Sequence, residues 1–310
     1  MSMTVTPAKD PIPAEASAPA PSFALGLLKA LRPKQWIKSV LVPAAPAAAG
    51  VLTHGTVLWH TVVAVVTFSL CASGGYLIND AADVESDRRH PKKRYRPIAA
   101  GVVPVMFARV LGIVLVVASV AAGGVLASWK LAVVLGGYVV LTFSYSTWLK
   151  HVPVLEMMLV AAGFLLRPIA GAAATDVKVS QWFLIVASFG SLYMVAGKRT
   201  AEATEFGEDA AAHRRILEAY PIAYLRQTRE LSAAVTLLAY CLWAFERVDL
   251  HNGPWSQLSI VPVTFGLLRY QLLLERGQGG APEEAVLGDP PLLIAGLVWV
   301  FTFALGVYLK

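Results

Sequence analysis

Apolar and polar positions alternate along this chain in long blocks. Runs of Ala, Val, Leu, Ile, Gly and aromatic residues cover approximately 37–52, 57–78, 105–128, 131–148, 153–173, 181–196, 231–247, 256–274 and 291–309. None shows the period-two alternation of a half-buried strand, and all are too long for one. Most approach the roughly 20 apolar residues that a helix needs to cross a bilayer core. Helices satisfy every backbone group without water, so the pattern predicts an all-α polytopic membrane bundle of about nine transmembrane helices. Pro43 and Pro46 interrupt the first run, and Pro168 and Pro262 predict kinks in two others. Gly123, Gly124, Gly136, Gly137, Gly163 and Gly171 suit close helix packing. Residues 1–22 are rich in Ala and Pro and lack the early apolar core of a secretory signal. They read as a disordered cytoplasmic tail ahead of a single transmembrane domain, 23–310.

Composition sharpens this. The 310 residues are 56% hydrophobic and only 15% charged, against about 25% charged in a soluble domain. That excludes a disordered chain and a water-soluble two-domain enzyme. Cys71 and Cys241, the two cysteines, both lie in apolar runs and read as packing rather than as a disulfide or zinc framework. The formal charge is +6. With nine spans, 21 of the 26 Lys and Arg residues fall on one side, four (Lys130, Lys178, Arg247, Lys310) on the other, and Arg167 within a span. The bias places the N-terminus and the loops after spans two, four and six in the cytoplasm. In such a chain positive charge concerns orientation and anionic partners before nucleic acid, and none is expected.

The acids are patterned where span two leaves the membrane, at Asn79-Asp80-Ala81-Ala82-Asp83-Val84-Glu85-Ser86-Asp87. On a continuous helix Asp80, Asp83 and Asp87 fall within roughly 60° of one face, with Asn79 at its edge and Glu85 nearly opposite. Carboxylates stacked at this spacing repel one another. A divalent cation relieves the repulsion, and oxygen ligands without His or Cys suit Mg²⁺. A solvated acidic helix end is the plainer alternative. The loop His90-Pro91-Lys92-Lys93-Arg94-Tyr95-Arg96-Pro97 follows directly. Acids that hold a metal beside a basic loop match the needs of a phosphate ester; topology charge and lipid headgroup contact would also account for the loop. No P-loop, dinucleotide fingerprint or Ser/His/Asp arrangement is present. His54, His60 and His251 fall on the wrong side and His90, His151 and His213 are scattered, so no general base stands out.

Asn79 to Asp87 resembles the NDxxDxxxD signature of the UbiA superfamily of intramembrane prenyltransferases. Arg96-Pro97 to Gly101 resembles its RPxxxG continuation, Tyr145 to Lys150 its YSxxLK segment, and Leu166 to Gly171 its LRxxAG segment, with Glu156 where many members carry an acid. The likeness runs from about residue 25 onward. Arg32-Pro33-Lys34-Gln35-Trp36-Ile37-Lys38, His90 to Gly101, Phe189 to Arg199 (with Tyr193, Lys198) and Trp243 to Arg247 are similar to the decaprenyl-phosphate phosphoribosyltransferase branch. That resemblance implies Mg²⁺-dependent transfer of 5-phosphoribose from phosphoribosyl pyrophosphate to a polyprenyl phosphate, at the cytoplasmic face of a bacterial inner membrane. In that family the product feeds cell-wall arabinan synthesis. A prenyl-diphosphate-dependent aromatic prenyltransferase of the same fold is the alternative, with a membrane transporter behind it. Transporters usually place polar groups near the midplane, whereas here they gather at one face.

The resemblance assigns Asn79, Asp80, Asp83 and Asp87 to the metal, the three aspartates being catalytic. Lys34, Gln35, Lys38, Asn79, Lys92, Lys93, Arg94, Arg96, Tyr145, Lys150, Glu156, Arg167, Tyr193, Lys198, Arg199 and Glu202 are the expected substrate contacts. Many superfamily members carry a second acidic motif after span six; here Lys198-Arg199 precede a lone Glu202. Positive charge there suits a further phosphate, and an interfacial anchor with a Lys198–Glu202 pair is the plainer reading. Arg167 is either functional, as a charge inside a span usually is, or paired with Glu156. Thr200 to Arg229, with Ile216, Leu217 and Tyr220, is either an amphipathic cap or a connector. Whether copies of the chain associate into a homo-oligomer is open on the sequence.

Overall fold

A computed structural model of the protein describes residues 22–206, 215–246, 253–278, 280 and 282–309. Residues 1–21 of the expected tail, residues 207–214 of the expected cap or connector (with His213 and Arg214), Arg247, His251 and Lys310 lie outside these residues. The described chain is helical, with no strand. Its α-helices are α1 (Phe23–Leu31), α2 (Ala44–Ala48), α3 (Gly55–Ala82), α4 (Val84–Arg89), α5 (Val105–Leu126), α6 (Trp129–Thr147), α7 (Leu155–Thr175), α8 (Gln181–Phe206), α9 (Ile222–Glu246), α10 (Trp255–Leu258), α11 (Ile260–Glu275), α12 (Pro282–Gly288) and α13 (Pro290–Tyr308).

Side-chain bonds fix how the long helices are arranged. At one end, Asn79 of α3 meets Ser146 of α6, Glu156 of α7 meets Arg199 of α8, and Arg229 of α9 meets Glu275 of α11. At the other end, Lys130 of α6 pairs with Asp176 just past α7. Successive long helices therefore run antiparallel; the aspartate motif, the Tyr145–Lys150 segment and Lys198 to Glu202 lie at the first end, whereas Trp243 packs with Val307 and Tyr308 toward the other. Six helical stretches among the described residues are long and apolar enough to cross a membrane: Gly55–Ala82, Val105–Leu126, Trp129–Thr147, Leu155–Thr175, Trp255–Glu275 and Pro290–Tyr308. The expected spans six and seven are helices too, α8 and α9. Both extend beyond the apolar run at the motif end, where they carry charged residues.

The first expected span is not one helix. A 3₁₀ helix covers Pro33–Leu41 and α2 adds one turn. Pro43 and Pro46 remove the amide donors that a continuous helix would need. The segment still traverses the bundle. It runs from the Arg32–Asp80 contact, past the Ser39–Ser69 hydroxyl pair, to Ala47, whose carbonyl accepts from Tyr308 at the far end. Irregular backbone at membrane depth is tolerated only when protein covers it, and Ser39, Val42 and Ala45 are buried. Gly171 is the clearest cause of this fit, because a Cβ there would lie 1.8 Å from the Val42 carbonyl oxygen. Gly136, Gly137 and Gly163, expected at close contacts, face open space. The eighth span breaks at Ser259, one turn before Pro262, since Pro262 offers no amide to the Leu258 carbonyl. Pro168 lies inside α7 as expected.

Candidate active site

The acidic motif begins in the last turn of α3. The helix does not continue smoothly to Asp87 as expected: Asp83, at φ −90° and ψ 8°, separates α3 from α4. Aspartate side chains compete for backbone bonds and favour helix ends. The winding survives the break, because the Asp83 amide donates to Asn79 and the Asp87 amide to Asp83, both at 2.9 Å. Asp80 and Asp87 are consequently buried together at 5% and 3% exposure, while Asp83 is exposed. Glu85 points away and pairs with Arg88 at 3.0 Å.

Two arginines neutralise the buried pair. Arg96 Nη1 donates to Asp80 Oδ1 at 3.0 Å and to Asp87 Oδ2 at 2.8 Å. Arg32 Nη2 donates to both oxygens of Asp80, at 2.7 and 2.8 Å, with its guanidinium over the Tyr76 ring. Arg32 was not among the expected site residues, although it opens the Arg32-Pro33-Lys34-Gln35-Trp36 motif. Its backbone is left-handed, at φ 55°. The turn is held against α3 by Ser73, which donates to the Leu31 carbonyl and accepts from the Trp36 indole. Asp80 and Asp87 thus converge on a single guanidinium nitrogen. A cation already stands between two oxygen donors with no His or Cys beside them, and that set fits a hard divalent ion. Among the described residues no three acids converge on one point.

A second ionic cluster lies one helix away. Arg199 on α8 donates through Nε and Nη2 to Glu156, at 2.9 and 3.1 Å, and through Nη1 to Glu202 at 2.7 Å. Arg199 and Glu156 are buried. The Glu202 pair is therefore made with Arg199, not with Lys198, which is exposed. Tyr145, near the end of α6, lies close to Arg199. Its neighbour Ser146 bonds Asn79 at 2.9 Å. Consecutive residues at the end of α6 therefore face the two clusters, and the aspartate and Tyr145–Lys150 motifs are brought side by side. Between them the chain turns sharply at Val154 (φ 66°), where the Leu155 amide reaches the Pro153 carbonyl at 2.8 Å. This strained turn is held by Tyr220, whose hydroxyl accepts from the Val154 amide. Ile216, Leu217 and Tyr220 are buried, the first and last in one core with Met157 and Leu225. A cleft of about 480 Å³ beside this turn is lined by His151, Pro153, Ile216, Glu218 and Ala219.

The other expected residues divide. Lys34, Lys92, Lys93 and Arg94 are exposed, and Gln35 and Lys150 half-buried. His90 is a loop residue, its Nδ1 accepting from the Lys92 and Lys93 amides. Lys38 lies over the Phe164 ring. Arg167 does not pair with Glu156, which belongs to Arg199. It bonds the Gly163 carbonyl and is surrounded by Phe68, Tyr138 and Phe164, with centroids 5.0–5.6 Å away. Tyr193 is buried against Tyr270 and donates to the Leu267 carbonyl at 2.9 Å.

Known proteins match this arrangement over nearly the whole chain. A decaprenyl-phosphate phosphoribosyltransferase of Corynebacterium glutamicum is 44% identical over 302 residues, covering 94% of this chain and 89% of that protein. A protein of the same name from Mycobacterium tuberculosis is 45% identical over 293 residues, covering 93% and 96%. Among solved structures, a UbiA homologue from Archaeoglobus fulgidus bound to GPP and Mg²⁺ superposes with a TM-score of 0.68 at 18% identity, covering 92% of this chain and all of that one. The UbiA prenyltransferase family model matches residues 40–288. With the aspartate motif, the helical bundle and these matches in agreement, the chain belongs to the UbiA prenyltransferase family.

Proposed function

We propose that this protein transfers 5-phosphoribose from phosphoribosyl pyrophosphate to decaprenyl phosphate or a similar polyprenyl phosphate, releasing pyrophosphate. The observation that carries this is the match, over more than nine-tenths of the chain, to decaprenyl-phosphate phosphoribosyltransferases. The charge of the site supports it. A prenyl diphosphate and a neutral aromatic acceptor bring one diphosphate, whereas this substrate pair brings a diphosphate and two further phosphates. Beside the aspartates stand Arg32 and Arg96, with Lys92, Lys93 and Arg94 on the adjoining loop, and Lys198 replaces the second acidic motif of other members.

Asn79, Asp80, Asp83 and Asp87 would hold Mg²⁺. When bound, Mg²⁺ supplies positive charge to the departing pyrophosphate. Arg96, Lys92, Lys93, Arg94 and Lys198 bind phosphate oxygens, with Lys34, Gln35, Lys38, Tyr145, Lys150, Arg167 and Tyr193 as further contacts or supports. Glu156, Arg199 and Glu202 hold α7 to α8 behind them. The bond from ribose C1 to the pyrophosphate oxygen breaks, and an acceptor phosphate oxygen bonds to C1. That oxygen is already ionised, so no general base is required. The reaction takes place at the cytoplasmic face of a bacterial inner membrane, where the positive-inside bias places the motif end. The lipid acceptor enters from the bilayer.

Purified protein incubated with labelled phosphoribosyl pyrophosphate, Mg²⁺ and polyprenyl phosphate should form a labelled lipid phosphodiester and pyrophosphate. Ribose 5-phosphate, which lacks the leaving group, should not react. Prenylation of an aromatic acid from a prenyl diphosphate, with phosphoribosyl pyrophosphate inert, would overturn the reading.

A further inference from the structure

Arg32 is bound in a way that a purely structural ion pair does not require. One nitrogen, Nη2, reaches both Asp80 oxygens. The remaining guanidinium N–H groups take no acceptor among the described residues, and the side chain keeps 29% of its exposure. Its backbone is held in a left-handed conformation by the Ser73 bonds on either side of the turn, and Tyr76 supports its flat face at 4.7 Å. The group is thus pre-positioned at the carboxylate with most of its donor fork unspent. Asp80 is buried, and a divalent ion at its oxygens would compete with the two bonds that Arg32 makes there.

We propose that Arg32 is the resident counter-cation of Asp80 and that it exchanges the carboxylate for the donor's diphosphate when a divalent cation binds. The exchange rests on the reading of this site as a metal–diphosphate site. It makes the two ligands mutually dependent. Without diphosphate, the cation must displace Arg32 from a buried carboxylate and leave that charge unpaired. With diphosphate present, the displaced guanidinium gains phosphate oxygens that its planar fork suits. The site then discriminates against the free metal and accepts the metal–diphosphate complex. Arg96 meets both Asp80 and Asp87 and holds the site neutral enough to fold when Arg32 is absent.

The test is Mn²⁺ binding to the full-length protein in detergent, followed by electron paramagnetic resonance with and without inorganic pyrophosphate. In the unmodified protein Mn²⁺ should bind weakly alone and at least tenfold more tightly with pyrophosphate. Arg32→Gln should bind Mn²⁺ alone about tenfold more tightly, because a charge-assisted competitor has gone, and should lose most of the pyrophosphate enhancement. Arg32→Lys keeps the charge without the fork and should lie between the two, which preserves the test if Arg32→Gln fails to fold. An Arg32 that only braces the turn would give unchanged or weaker Mn²⁺ binding in folded variants, and that result overturns the proposal. If the unmodified protein binds no Mn²⁺ even with pyrophosphate, the metal–diphosphate reading of the site falls as well.

Discussion

Replacing Glu156 with Gln tests whether Arg199 serves the substrate or the fold. Glu156 is fully buried and receives two charge-assisted bonds from Arg199, at 2.9 and 3.1 Å. Removing one partner of a buried pair costs about 3–5 kcal/mol, because the other charge is left without compensation. Glu202 remains on Nη1 at 2.7 Å, which places the loss near the lower end, about 3 kcal/mol, or roughly two orders of magnitude in the folding equilibrium. Replacing both partners with apolar residues of similar size, Glu156→Leu with Arg199→Met, removes both desolvation costs and should recover most of the loss. The assay is unfolding of the detergent-solubilised protein followed by tryptophan fluorescence, with kcat/KM for phosphoribosyl pyrophosphate measured alongside. A clamp predicts a large drop in stability for the single variant and a small one for the double. If Arg199→Met instead leaves the unfolding midpoint unchanged while raising the donor KM tenfold or more, Arg199 is a phosphate anchor and the clamp is wrong.

Asp87→Asn should abolish transfer and Asp83→Asn should do so too, with EDTA giving the same result, while Glu85→Gln should keep most activity because Glu85 is exposed and paired only with Arg88; equal damage at Glu85, measured by lipid product formation, would refute the face assignment. Lys198→Ala and Arg96→Ala should each lower kcat/KM by about 1.5–3 kcal/mol, the worth of a charge-assisted hydrogen bond. Lys130→Ala and Lys178→Ala at the opposite end should change little, and comparable losses at both ends would mean that the charges serve topology. The Arg269 hydrogen bond holds the Asp289 carboxyl below its ordinary range. Its contribution to stability is therefore complete above the unfolded carboxylate value of about 3.9 and is lost as pH falls through the lower folded value. Asp289→Asn should flatten the acid limb of the unfolding midpoint below about pH 4, and an unaltered limb would refute the pairing.

Much of this molecule is legible along one dimension. A helix that must cross hydrocarbon needs an unbroken apolar stretch, so α3, α5, α6, α7 and α13 stand out in the sequence to within a few residues. The clustering of Asp80, Asp83, Asp87 and the basic loop at one membrane face follows from the same alternation, as does the all-helical class; the family motifs are a resemblance carried by the residues themselves. What the sequence cannot carry is which charge meets which. Arg32 finds Asp80 across 48 positions, and Arg199 finds Glu156 across 43. Neither pairing has a local signature, because a buried charge is stabilised by whatever counter-charge packing brings within about 3 Å and not by its neighbours in the chain. Tertiary structure also decided that Arg167 is held by aromatic rings rather than by Glu156, and that Asp83 stays exposed where the helix breaks while Asp80 and Asp87 are buried. It alone made room for the proline-broken segment from Pro33 to Ala48. That backbone would be intolerable against lipid, and it persists because α3 and α7 cover it, with only a glycine at position 171 to let it approach.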